Sequence, residues 1–152
     1  MGHIHEKIDF TAEVFIVYKD KVLLRRHRKF NSIWLSIGGH IELDEGPVEA
    51  AVREVKEEVG LDVKIWSGNK RFESIESDYD ELIPPVALGR HRVNDSHEHI
   101  IFVYFATSDS DNVVPEVPTD EWVWVTKAEL SDMDLKPNIR YYAEAALDEL
   151  SS

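Results

Sequence analysis

The chain opens its hydrophobic pattern with Phe10 to Tyr18 (FTAEVFIVY), rich in β-branched and aromatic residues, and resumes after Lys19-Asp20 with Val22-Leu23-Leu24. This pattern predicts two strands joined as a hairpin. Between His27 and Glu45 there is little periodicity, two adjacent glycines at Gly38 and Gly39, and acidic residues at the end. A loop around one short strand near Trp34 is predicted there. From Pro47 to Val59 the apolar residues Val48, Ala51, Val52, Val55 and Val59 recur every three or four positions, which stacks them on one buried face of a helix. Pro47 suits a first helical position, where its missing N–H would have no partner. Gly60 suits the left-handed residue just past the end.

Leu61 to Trp66 reads as a strand, whereas Ser67 to Asp80 has no clear period and fits either a loop or a short strand. His97 to Ala106 reads as a buried strand, Val113 to Thr119 as a loop with two prolines, and Trp122 to Val125 as another strand. A last helix is predicted over Pro137 to Leu150, packing through Ile139, Tyr142, Ala143, Ala146, Leu147 and Leu150. Strand pairs, a central helix, more strands and a closing helix imply an α+β fold, a mixed sheet covered by helices. No repeat, linker or low-complexity tract divides the chain, so one domain over residues 1–152 is expected.

Composition narrows the class. With 43% hydrophobic and 31% charged residues, the chain resembles a globular domain rather than a disordered tail or a fibre. The absence of cysteine excludes disulfides and thiolate metal sites. A formal charge of −13, from 17 basic and 30 acidic residues, would repel a nucleic-acid polymer. Met1 to Asp9 is polar rather than signal-like, and the longest apolar run, Ile100 to Ala106, is too short to span a bilayer. The expectation is a cytoplasmic protein without membrane partners.

The charge also has a local pattern. On a helix turning by about 100° per residue, Glu54, Glu57 and Glu58 fall within one arc of roughly that width, beside the valine stripe. Carboxylates so spaced repel one another unless a cation sits among them, and oxygen-only ligands favour hard ions such as Mg²⁺ or Mn²⁺. Arg53, four residues before Glu57, can orient that carboxylate and offset part of the repulsion. A solvated acidic helix face is the competing explanation.

The neighbouring residues weigh against it. Glu45 follows Gly39 by six residues, and the chain then reads Arg53-Glu54-Val55-Lys56-Glu57-Glu58-Val59-Gly60-Leu61. This resembles the Nudix box of MutT-like hydrolases, glycine-x5-Glu-x7-Arg-Glu-U-x-Glu-Glu-x-glycine-U with U aliphatic, at every defined position. Coincidence in a chain of this size has a probability on the order of 10⁻⁶ or less. Val22 to Arg26, Trp34 and Glu121-Trp122 also look familial, so the resemblance extends over most of the chain. One departure is Ile37, where the family commonly has proline before the glycine pair.

The resemblance implies the Nudix fold, an α/β/α sandwich around a mixed sheet, with the box forming a loop–helix–loop that holds one to several divalent ions. Carried onto this sequence, it makes Glu57 and Glu58 metal ligands and Glu54 either a ligand or the base that activates water. The Gly39 carbonyl would complete the shell, and Glu45 with Arg53 would form an orienting pair in the catalytic set. Glu116 is the candidate for a further carboxylate from a late loop, with Asp120 and Glu121 as rivals.

The implied reaction is hydrolysis of a phosphoanhydride bond in a nucleoside diphosphate linked to another moiety, a small nucleotide-like substrate. A homodimer is left open. Arg25 and Arg26, in the basic run Arg25 to Lys29, are candidate phosphate anchors, although strand alternation lets only some of them point inward. His40 could donate to a phosphate or serve a structural role. Tyr79 falls near a position used by some dinucleoside polyphosphate hydrolases, while Glu76 and Ser77 stand where many ADP-ribose hydrolases carry proline. His97 and His99 share one side of their strand, a spacing that can bind transition metals, and are expected to line a pocket or pack. Trp34, Trp66, Trp122 and Trp124 could stack a base, although core packing is the simpler role. An isopentenyl-diphosphate-type isomerase would need a cysteine that this chain lacks. A non-catalytic nucleotide-diphosphate sensor is opposed by the intact trio Glu54, Glu57 and Glu58.

Overall fold

The computed structural model describes residues 7–27 and 33–152. Met1 to Glu6 of the polar N-terminal stretch, and Arg28 and Lys29 of the basic run, lie outside the described residues. In chain order the elements are β1 (Ile8–Tyr18), β2 (Lys21–Arg26), β3 (Trp34–Leu35), β4 (Ile37–His40), α1 (Pro47–Val59) and β5 (Val63–Ile65). They continue with β6 (Ala87–Asn94), β7 (His97–Ser108), β8 (Glu121–Thr126), α2 (Lys127–Leu130) and α3 (Pro137–Leu150).

The sheet is mixed and is organised around β1. One edge of β1 runs parallel to β7, from Ile8 opposite Glu98 to Val17 opposite Thr107. Its other edge is shared: Thr11 to Val14 pair antiparallel with β4, while Val17 and Tyr18 pair with β2. β7 is shared in the same way between β6 and β5, and β2 carries β8 and β3. Alternation along β1 sends Ala12, Val14 and Ile16 into a core with α1, and Phe15 and Val17 into a second core with α3. The layers are therefore helix, sheet, helix, as expected from the sequence. Among the described residues no helix is long and apolar enough to cross a membrane.

Both long helices occupy their expected spans, and Gly60 closes α1 with a φ of 70°. The buried face of α1 differs from the predicted stripe. Ala50, Ala51, Val55 and Val59 are buried, whereas Val52 is 38% exposed and Val48 is only partly buried. The ladder Ala51, Val55, Val59 is the contact line, with Ala50 buried beside its start. The glycine pair is also not loop. It forms the middle half of a second short strand, β4, because the β1 backbone offers it a pairing edge.

Besides β4, two elements were absent from the sequence expectation. β6 is an exposed outer strand hairpinned to β7, and Asn94 Oδ1 accepts from Ser96 N at 2.9 Å in the turn. α2 is a single turn capped by Thr126 Oγ1, which accepts from Glu129 N at 3.2 Å. Residues 67–86 contain no strand.

Candidate active site

Arg53 organises the carboxylates of α1. Its Nε donates to Glu45 Oε2 at 2.9 Å and its Nη2 to Glu45 Oε1 at 2.6 Å. Nη1 donates to Glu54 Oε1 at 3.0 Å and to Glu57 Oε2 at 3.1 Å, and Nη2 also reaches the His40 carbonyl at 3.0 Å. One planar guanidinium thus fixes the loop before α1, two helix carboxylates and the end of β4. Glu45 further accepts from Glu42 N at 2.9 Å, and the Arg53 hydrogen bonds hold its carboxyl below the usual range. The contact between Glu45 and Arg53 is bidentate.

Gly39 lies directly beneath Glu54. A Cβ at this position would stand 2.5 Å from Glu54 Oε1, so only glycine leaves room for the carboxylate there. Burial pushes the Glu54 carboxyl up, and Arg53 partly opposes the shift. Glu58, one turn further along α1, faces β2. It accepts from Arg25 Nη1 at 3.1 Å and from Gly38 N at 3.2 Å. Burial raises its carboxyl to about 7, with Arg25 opposing the shift and Glu54 adding to it.

The late loop joins this group. Val114 N donates to Val59 O at 2.9 Å and Glu116 N to Glu58 O at 3.0 Å, which docks the loop on the end of α1. Glu116 then lines a pocket of about 200 Å³ with Arg25, His27, Glu58, Asp120 and Trp122. Asp120 is buried, its side chain 2% exposed, and lies 4.0 Å from Arg25 Nη1 and 3.8 Å from His27 Nε2. Asp120 Oδ1 and Arg25 Nε are buried and have no hydrogen-bond partner among the described residues. Buried polar atoms of this kind normally have one, so the pocket has capacity for a polar ligand.

Other residues singled out from the sequence lie elsewhere. Arg26 points to the opposite side of the sheet from Arg25, where it pairs with Glu121 and lies 4.7 Å over the Trp34 ring. Tyr79 lines a separate surface depression in the 67–81 segment and meets the Phe72 ring at 6.1 Å. Trp122 and Trp124 pack against the α1 core, and Trp34 and Trp66 against the α3 core. His40 is next to Gly39 in sequence but faces away from Glu54, with Nε2 3.5 Å from Asp9 Oδ2 and its ring 5.4 Å from that of His99.

His97 and His99 share this second face. His97 Nε2 is 2.9 Å from Asp9 Oδ2, and the two rings are 5.0 Å apart. Burial, reinforced by His40 and His97, holds the His99 imidazole below its usual range. A cleft of about 500 Å³ opens between this face and α3, lined in part by Glu13, His91, Lys136 and Tyr142. Glu13 was not anticipated as a site residue. Burial raises its carboxyl against a 3.2 Å hydrogen bond from Ser36 Oγ, and a lone carboxylate inside the apolar run FTAEVFIVY was the available signal. The larger cleft is lined by one carboxylate, Glu13, whereas the smaller pocket on the α1 side is lined by Glu58, Glu116 and Asp120.

The α1 side fits a divalent cation. Glu45, Glu54, Glu57, Glu58, Glu116 and Asp120 stand against the guanidinium groups of Arg25 and Arg53, a large local excess of negative charge. The carboxylates supply oxygen donors, the set preferred by hard ions, with the His27 imidazole at the pocket wall beside Asp120.

A NUDIX domain model matches residues 10–146. The chain is 49% identical over 45 residues to "m7GpppN-mRNA hydrolase NUDT17" of Xenopus laevis, and 45% identical over 47 residues to the protein of that name from Danio rerio. These matches cover 27% and 28% of this chain but only 15% and 16% of those relatives. A NUDIX-family hydrolase from Clostridium perfringens superposes with a TM-score of 0.82 at 38% identity, covering 94% of this chain and 98% of that one. A MutT NUDIX hydrolase from Burkholderia pseudomallei has the same fold, with a TM-score of 0.65 at 18% identity over 96% of this chain and 100% of that one. The match over residues 10–146 and the likeness at 38% identity over 94% of the chain show that it belongs to the NUDIX family.

Proposed function

We propose that the chain is one domain that hydrolyses a phosphoanhydride bond in a nucleoside diphosphate linked to a second moiety, with Mg²⁺ or Mn²⁺ as cofactor. The observation that supports this reading is the crowding of Glu54, Glu57 and Glu58 along α1, with Glu54 against Gly39, Glu58 against Gly38, and Arg53 and Arg25 as the cations that pair with them among the described residues. A solvated acidic face would not bury Glu58 enough to raise its carboxyl to about 7.

Glu57 and Glu58 would hold the cation, with the Gly39 carbonyl and Glu116 completing the oxygen set. When bound, such an ion polarises phosphoryl oxygens and lowers the pKa of a bound water. Glu54 is either a further ligand or the group that accepts the water's proton; its burial and raised affinity for a proton suit the second role. Arg53 keeps Glu54 and Glu57 oriented through one nitrogen while Glu45 anchors the guanidinium from the other side. Arg25 lines the pocket, and its guanidinium, whose Nε has no hydrogen-bond partner among the described residues, would meet a phosphate oxygen there. At about 200 Å³ the pocket suits a diphosphate rather than a whole nucleotide, so the organic groups would extend beyond it.

The test is a panel of nucleoside diphosphate derivatives assayed for phosphate-containing products with Mg²⁺ and with Mn²⁺. Glu57→Gln is expected to abolish metal-dependent hydrolysis with an unchanged circular dichroism spectrum. Equal activity in variant and wild type would refute the assignment of Glu57.

A further inference from the structure

The face of the sheet away from α1 gathers imidazoles from three strands around one carboxylate. Asp9 on β1 is in register with His99 on β7, and His99 with His91 on β6. His97 lies two residues from His99 and so projects to the same side. His40 on β4 pairs with Thr11, two residues from Asp9, which brings it to the same face. One ligand atom from each of Asp9, His97 and His99 lies within 4.8 Å of the others. Asp9 Oδ2 is already 2.9 Å from His97 Nε2 and 3.5 Å from His40 Nε2.

We propose that Asp9, His97 and His99, with His40 as a fourth ligand, form a site for a transition-metal dication of the zinc class, separate from the carboxylates of α1. Ligands about 2.0–2.1 Å from a tetrahedral zinc stand roughly 3.3 Å apart, close to the Asp9–His97 and Asp9–His40 separations. His99 offers a ligand atom within 4.8 Å of those of Asp9 and His97. Imidazole with one carboxylate selects zinc, nickel or copper over Mg²⁺, whereas the all-oxygen set on α1 selects the reverse. Simple ion pairing does not explain the group, because one Asp9 carboxylate neutralises one imidazolium and four histidines converge. Entry from solvent is open: the Asp9 side chain is 45% exposed and that of His97 29%.

The experiment is calorimetric titration of the full chain with zinc in excess Mg²⁺, together with the visible absorption of the cobalt-loaded protein. Wild type is expected to bind one zinc equivalent that Mg²⁺ does not displace and to show the intense bands of tetrahedral Co²⁺. The double variant His97→Ala/His99→Ala is expected to weaken that binding by more than about tenfold and to lose the bands, since even residues behind the ligands cost 10–100-fold. Asp9→Asn provides a second, conservative test on a partly exposed side chain. Glu57→Gln should retain the zinc, as should His3→Ala/His5→Ala. Unchanged binding in both the histidine double variant and Asp9→Asn overturns the proposal, as does loss of the zinc in Glu57→Gln or in the His3/His5 variant.

Discussion

Replacing Gly39 with alanine would put a methyl carbon 2.5 Å from Glu54 Oε1, 2.6 Å from its Cδ and 2.8 Å from Oε2. Ordinary contact begins near 3.4 Å, so the Glu54 carboxylate must retreat by about 0.9 Å, the difference between 3.4 and 2.5. It cannot do so freely. Oε1 is held at 3.0 Å by Arg53 Nη1, and Arg53 is itself fixed by Glu45 and the His40 carbonyl. A misplacement of about 1 Å in a reacting constellation costs on the order of 100-fold in rate, or about 2.7 kcal/mol. The fold should barely notice. Gly39 does not have a positive φ, and the obstructing atoms belong to the end of a side chain rather than to backbone, so the stability change should stay below about 1 kcal/mol. The assay pairs kcat at saturating Mg²⁺ with thermal unfolding of the same preparations. Wild-type kcat in Gly39→Ala would refute the role given to Glu54, and a collapse of the fold large enough to explain the lost rate would refute the placement of the clash.

Three further outcomes follow from the same geometry. Arg53→Lys replaces a fork that serves Glu45, Glu54, Glu57 and the His40 carbonyl with a single ammonium, so kcat should fall about 10–100-fold with circular dichroism unchanged, and an unaltered kcat would count against the orienting role. In protein stripped of divalent ions, Glu58 keeps its proton up to about 7 while the unfolded chain releases it near 4.5. Between those values the folded state binds more protons, so stability falls as pH rises; the wild-type melting temperature should drop relative to that of Glu58→Gln across this window, and a relative rise would contradict the burial of Glu58. Val55→Ala, at a fully buried position, should cost about 1–3 kcal/mol in denaturant unfolding and Val52→Ala less than about 0.5 kcal/mol, whereas equal costs would mean that α1 is rotated from the face described.

What could be read from the sequence was whatever short-range rules determine. α1 and α3 were legible to the residue because proline opens each and an apolar period fills it. The Arg53–Glu57 contact was legible from helical spacing, whereas Glu45 was joined to Arg53 only through the resemblance to the Nudix box. β6 was not legible: most of its residues are exposed, and a strand without a buried face leaves no alternation to detect. The Gly38-Gly39 pair read as loop because glycine favours no element, yet the β1 edge makes it strand. α2 did carry a readable sign in Thr126 and Glu129, a capping pair before a single turn. The contact between Arg25 and Glu58 spans 33 positions, and that between Asp9 and His97 joins two strands through a parallel register. Such contacts depend on how strands pair, which no local pattern determines.

That register also explains how two chemically opposed groups stay apart while touching in sequence. Gly39 pairs with Ala12 and His40 with Thr11, so adjacent residues of β4 serve opposite faces of the sheet. Ala12 belongs to the α1 core, and Gly39 accordingly lies beneath the Glu54 carboxylate; His40, one residue on, reaches Asp9 and the ring of His99. A slip of β4 by one residue against β1 would move the imidazole toward the acidic cluster and place the glycine among the histidines. It would also drive a Cβ into the space that Glu54 occupies, so the clash at Gly39 acts against the slipped pairing as well as shaping the site. The separation of the Glu54 carboxylate from the His40 imidazole, and with it that of the two proposed metal sites, therefore rests on a pairing of four residues between β1 and β4.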